Sequence, residues 1–116
     1  MHETQFQITR RCLTLLLPDD LGGSYLNAIR ATVLQELAAS RQAQAVIFDC
    51  TNLKLIDAQD LQELCQLVDC IQLMGKRVGF CSISAGLAAV LVTLNLQPSG
   101  CCFGRSLDDV ISRLAM

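Results

Sequence analysis

The stretch "DCTNLKLIDAQDL", residues 49–61, joins two unlike patterns, and its reading decides the fold. Just before it, "QAVIFDC" (44–50) is a continuous apolar run with a β-branched centre, as expected for a central strand of a parallel sheet. After it, Leu61, Leu64, Val68 and Ile71 fall on one face of a helix, with Cys65 beside them. Gln59, Gln62, Glu63, Gln66 and Asp69 take the other face. Asp57 is placed to cap that helix by accepting from the unpaired amides of its first turn. Asp60, three residues on, stands where a capping-box acid would. Caps explain the aspartates. They do not explain Leu53, Leu55 and Ile56, apolar residues set around Lys54 in the connecting loop. Some are expected to pack on the core and the rest to stay partly exposed as a recognition surface.

Outward from this β–α unit, residues 4–10 and 12–17 read as two strands, and "PDDLGG" (18–23) ends the second. A helix over about 24–40 carries Leu26, Ile29, Val33 and Leu37 at helical spacing, with Ser24 as its N-cap. Gly75 closes the second helix, and Lys76 and Arg77 complement its negative end. "RVGFCS" (77–82) is the next strand. Ser84 caps a third helix through "AGLAAVLVTLN", in which Leu87, Val90, Leu91 and Leu94 share a face. Ala88, Ala89 and Val92 extend apolar character around it, so a neighbouring subunit is expected to cover these three. A turn over 97–100 leads to a short strand, "CCF" (101–103), and a last helix from Ser106 with Leu107, Val110, Ile111 and Leu114 in one stripe. The order ββαβαβαβα predicts an α/β fold: a mostly parallel or mixed sheet of about five strands with about four helices, right-handed where parallel strands are linked.

The chain of 116 residues is long enough for one core, and a single domain over 1–116 is expected. Apolar residues make up 52% and charged residues 17%, which favours a core-rich domain over a disordered one. The net charge of −2, the lack of a basic patch, one Tyr and no Trp argue against nucleic acid as a partner. No apolar run approaches the roughly 20 residues of a membrane span, and the start "MHETQFQ" lacks the order of a signal peptide. A cytoplasmic location is expected. Seven cysteines without a CxxC pair read as small buried hydrophobes in a reducing compartment. Cys101 and Cys102 are adjacent, as in a redox pair, but neighbours on a strand point to opposite faces. His2 is the only histidine, so no metal site and no cofactor are expected.

Enzymatic chemistry has little to work with. There is no internal His, and HExxH, GxSxG and GxxxxGK[ST] are all absent. "GGS" at 22–24 reads as a strand-to-helix turn rather than a phosphate cradle. Asp49 stands where a receiver domain would carry its phospho-accepting aspartate, but no Lys lies beyond Lys76 to complete such a site.

Taken together, "FDC", "LKLID" before a small residue, the amphipathic helix, "GKRVGFCSI" and "LAAVLVTLNL" resemble a STAS domain, the fold of anti-sigma-factor antagonists, over nearly the whole chain. The similarity is greatest to the short, RsbS-like scaffold proteins of the stressosome. The resemblance implies a non-enzymatic switch protein. Its expected partners are further copies of itself, sensor-bearing STAS paralogues, a switch kinase of the GHKL type and a phosphatase. It also implies a Ser or Thr phosphoacceptor directly after the Asp at the start of the second helix. Here the motif reads Ile56-Asp57-Ala58, and Ala58 has no hydroxyl. Either a serine has been replaced by design, or this is a natural member whose switching is lost or moved. Thr51, Ser82 and Ser84 are nearby hydroxyls, each with a simpler role in a turn or cap. Partner contacts are expected at Asp49, Leu53, Lys54, Leu55, Ile56, Asp57, Gln59, Asp60 and Gln62. Two rivals remain: a monomeric antagonist of one anti-sigma factor, and a STAS module that binds a small ligand or lipid.

Overall fold

A computed structural model describes residues 6–9, 11–22, 25–54, 56–94 and 100–114, with backbone alone at Thr9 and Leu94. Five strands form one sheet in the order β1 (Phe6–Thr9), β2 (Cys12–Leu16), β3 (Ala45–Asp49), β4 (Arg77–Cys81), β5 (Cys102–Gly104). β1 and β2 pair antiparallel; every later pair is parallel. The helices are α1 (Tyr25–Ala39), α2 (Ala58–Leu73), α3 (Ala85–Leu94) and α4 (Leu107–Arg113). The expected α/β class and element order are both present. The apolar run at 44–50 is the middle strand of the five, with neighbours on both sides.

Alternation along the strands divides the core in two. Leu13, Leu15, Val46, Phe48, Val78 and Phe80 face the side covered by α1 and α2, where Ile29, Val33, Leu64 and Val68 meet them. Phe48, Phe80 and Phe103 stack across three strands, with centroids 5.2 and 5.4 Å apart. The opposite face carries Cys12, Ala45, Ile47 and Cys81 against Val110, Ile111 and Leu114 of α4. That helix approaches very closely. A Cβ built on Gly79 would lie 2.4 Å from Val110, and one on Gly104 would lie 2.7 Å from it.

Local rules account for the helix ends. Gly75 takes φ +80 after α2. Its amide donates to Gln72 O (2.9 Å) and that of Lys76 to Ile71 O (3.3 Å), the Schellman pattern that closes a helix. Lys76 and Arg77 do not serve the end of α2 as expected. The Lys76 ammonium donates to the Ala43 carbonyl at 2.7 Å, and the Arg77 guanidinium to the carbonyl of Leu114, the C-cap of α4. Each side chain follows the chain into β4 and meets the carbonyls beside that strand. Ser84 caps α3, accepting from Leu87 N at 3.1 Å, and Ser106 caps α4, accepting from Asp109 N at 3.2 Å. Ser24, Asn95 and the turn at 97–100 fall partly or wholly outside the described residues.

Only three of the seven cysteines, Cys12, Cys50 and Cys81, are buried; Cys65, Cys70, Cys101 and Cys102 are half-buried. Cys101 packs with the α1–α2 cluster and Cys102 with the α4 cluster, so the adjacent pair straddles the sheet. Burial, with Cys65 and Asp69 adding to it, pushes the Cys101 thiol up to about 12. Such a thiol is a poor nucleophile.

Candidate functional site

β3 ends at Asp49, and the chain turns at once. The Asp49 carboxylate accepts from Thr51 N (3.0 Å) and Thr51 Oγ1 (2.5 Å), and Leu53 N donates to Cys50 O (3.1 Å). An Asp that bonds the backbone two residues on sets such a turn. Cys50 N donates to Cys81 O (3.0 Å), and Lys54 N to Asp19 O (2.9 Å), tying the loop to β4 and to the β2–α1 connection. The loop is held in place before α2 begins.

The apolar residues of the loop are not uniformly on display. Leu53 is 3% exposed and belongs to the core, which corrects its assignment as a partner contact. Turning inward removes its side chain from water, worth roughly 1.5–3 kcal/mol. Ile56 is half-buried against the same cluster. Leu55 lies outside the described residues. Lys54 is exposed between them. Beneath the loop a small apolar cavity of about 20 Å³ lies among Leu53, Ile56, Leu64, Phe80, Leu87 and Phe103.

Asp57 is the N-cap of α2, in extended conformation at φ −99 and ψ 177, accepting from Asp60 N at 2.7 Å. Ala58 is the first helical residue, and it is exposed, as are Asp57, Gln59 and Gln62. Asp60 is not. It is only 8% exposed, and burial is the main cause of the upward shift of its carboxyl. The charges of Asp57, Asp20 and Glu63 push it the same way. Four acids therefore lie near one another at the entry to α2. The sequence marks Asp20 only as part of the β2–α1 turn, where its Oδ1 accepts from Gly22 N at 2.8 Å. Only the parallel pairing of β2 with β3 brings that turn beside α2.

Asp49 is separated from this cluster. Its side chain shares the α4 side of the sheet with Ala45 and Ile47, whereas Leu53 and Ile56 pack on the other side. The alternative hydroxyls all hold local structure. Thr51 bonds Asp49, Ser84 caps α3, and Ser82 donates to Arg105 O at 3.4 Å. Ser82 also has φ +63, a left-handed conformation that is uncommon for a residue with a side chain. It turns the chain sharply after β4.

On α3, Leu87 is buried and Leu91 half-buried on the core, while Ala88, Ala89 and Val92 are exposed, Val92 at 67%. Val90 is 38% exposed and joins that outer face, not the inner one expected of it. Among the described residues no group of three or more His, Cys, Asp or Glu side chains is placed to hold a metal ion. No helix there is long and apolar enough to cross a membrane.

No family model matches the sequence, and no curated protein does. Solved structures match over nearly the whole chain. One is the Moorella thermoacetica RsbS protein carrying a serine-to-glutamate substitution, with TM-score 0.81 at 13% identity, covering 98% of this chain and 96% of that one. A chain from the stressosome, described as a signal integration and transduction hub, gives TM-score 0.80 at 14% identity and covers 96% of each. The anti-sigma factor antagonist SpoIIAA in its unphosphorylated form gives 0.73 at 15%, covering 97% and 96%. At such identities it is the path of the backbone that is shared, and the fold of this chain is the STAS fold of RsbS, SpoIIAA and other anti-sigma-factor antagonists.

Proposed function

We propose that the chain is a single, non-enzymatic STAS domain acting as a cytoplasmic scaffold in a stress-signalling assembly of the stressosome type. It binds copies of itself, sensor-bearing STAS paralogues and a GHKL-type switch kinase, with a phosphatase to reverse the switch. The observation that carries this reading is the exposure of Ala58 as the first residue of α2, at a helix entry rich in acids. A phosphoryl group at that position brings about −1.5 to −2 charges. The helix amides and dipole favour it, while Asp20, Asp57, Asp60 and Glu63 oppose it. The two influences meet at a surface edged by Lys54, Gln59 and Gln62, and the added charge rewrites what that surface accepts. With alanine there, the chain stays in its unphosphorylated form. That one structural neighbour is a serine-to-glutamate variant, and another is named for its unphosphorylated form, supports a switch of this chemistry.

The test replaces Ala58 by Ser and incubates both proteins with the candidate kinase and ATP, followed by mass spectrometry. Phosphate is expected on the serine protein at position 58 and absent from the parent. Equal labelling of both places the acceptor elsewhere and overturns the assignment. The scaffold claim is checked separately by light scattering with the sensor-bearing paralogue, where a large assembly is expected. A one-to-one complex with a single kinase-like factor would replace it with a simple antagonist.

A further inference from the structure

The side of the sheet facing α4 is incompletely covered, because α4 lies over β3, β4 and β5 and stops short of β1. An open groove of about 150 Å³ remains, lined by Gln7, Thr14, Leu16, Asp49 and Leu107. Its polar groups do not satisfy one another. Thr14 is 8% exposed, and its buried Oγ1 finds no hydrogen-bond partner among the described residues. A buried hydroxyl left unpaired is unfavourable, and proteins rarely retain one without a reason. The register fixes its neighbours. Gln7 is directly opposite Thr14, and Asp49 directly opposite Leu16, all on one face. Strand spacing and rise put Thr14 and Asp49 about 8 Å apart between Cα atoms, with the side chains closing the gap.

We propose that this groove binds a primary alkylammonium group. Two acceptors of different kinds line it openly, a glutamine amide oxygen and a carboxylate, and the covered threonine hydroxyl lies beneath them, where a rotation about χ1 turns it toward a ligand. A primary ammonium has three donors. The Asp49 carboxylate has about four acceptor positions. The two bonds from Thr51 use Oδ1, so Oδ2 remains for a ligand. Among the described residues no basic side chain lines the groove, so the carboxylate meets an arriving cation unopposed by them. Leu16, 39% exposed, and Leu107 supply an apolar wall for the carbon chain that carries the nitrogen. An anion would meet the Asp49 charge and only one side-chain hydroxyl and one amide as donors. Free amines and lysine side chains of a partner share this chemistry. The site involves none of the residues at the start of α2 and stands or falls apart from the switch.

Titration of the whole 15N-labelled chain with butylammonium, Nα-acetyl-lysine amide and the uncharged 1-butanol distinguishes the outcomes. Saturable shifts at the amides of Gln7, Thr14, Leu16, Asp49 and Leu107 are expected with the amines and absent with the alcohol. Tighter binding of butylammonium assigns a free amine, and tighter binding of the lysine amide a partner's side chain. Asp49→Asn is expected to weaken binding by about tenfold or more, and Thr14→Val by about three- to tenfold. Because Asp49 also sets a turn, Gln7→Leu on the edge strand provides a loss of one acceptor without touching that turn. Equal shifts with 1-butanol, no saturable shifts with either amine, or unchanged affinity in Thr14→Val and Gln7→Leu would overturn the assignment.

Discussion

Asp57 and Asp60 are three residues apart and look like a matched pair of caps, yet they do different work. Asp57 is exposed and gives its carboxylate to the Asp60 amide. Asp60 is buried, with three other acids contributing to its upward shift. A carboxyl that holds its proton more tightly when folded contributes stability at low pH, in full below its ordinary value of 3.8. That contribution is lost as pH rises through the raised folded value. Asp60→Asn, which keeps the shape and removes the charge, is therefore expected to raise the urea midpoint at pH 7. The gap to the parent should close as pH falls towards 3.8, the ordinary carboxyl value. Urea melts of both proteins at pH 4 and 7 check this; a gap independent of pH would point to packing rather than ionisation. The capping role of Asp57 was legible because it depends on residues three apart. The burial of Asp60 and Leu53 was not, because it depends on which way a loop turns over a core assembled from distant strands.

The helices and strands followed their periodicities, and the departures have identifiable tertiary causes. Arg77 follows α2 in sequence, but its guanidinium meets the end of α4, because β4 runs alongside that helix. Val90 sits in the apolar stripe of α3, yet the helix rolls so that Leu87 and Leu91 take the core contacts. An almost wholly apolar sequence offers no polar face to fix such a rotation. The glycines at 79 and 104 gave no sequence signal beyond their type, and in the fold they let α4 lie against β4 and β5. Gly79→Ala is expected to destabilise the protein by about 1–3 kcal/mol, since its Cβ would collide with Val110. Pairing it with Val110→Ala, which removes the colliding methyls, should give a double variant less destabilised than the sum of the two single changes. Strict additivity in denaturant titrations would mean that the close approach at this position is not what Gly79 permits.

At the scale of the whole molecule, the core and the outer surface respond to different demands. The stacked Phe48, Phe80 and Phe103, with Ile47 and Val110 on the far side of the sheet, hold the fold together. The outer face of α3 contributes nothing to that core at Val92, which is 67% exposed, yet an apolar helix face left in water is unusual for a protein that works alone. Under the scaffold reading, Ala88, Ala89 and Val92 meet a neighbouring copy. Val92→Asp separates the two demands. At so exposed a site it is expected to change the stability of the monomer by no more than about 0.5 kcal/mol. Burying its carboxylate in an apolar contact carries a desolvation penalty, so self-association should weaken by about tenfold or more. Sedimentation velocity over a concentration series, with a thermal melt at the lowest concentration, reads both quantities from the same preparation. Assembly that persists undiminished in the aspartate variant would move the contact to another face. A loss of assembly accompanied by an equal loss of monomer stability would mean that α3 packs more tightly on its own sheet than Leu87 and Leu91 indicate.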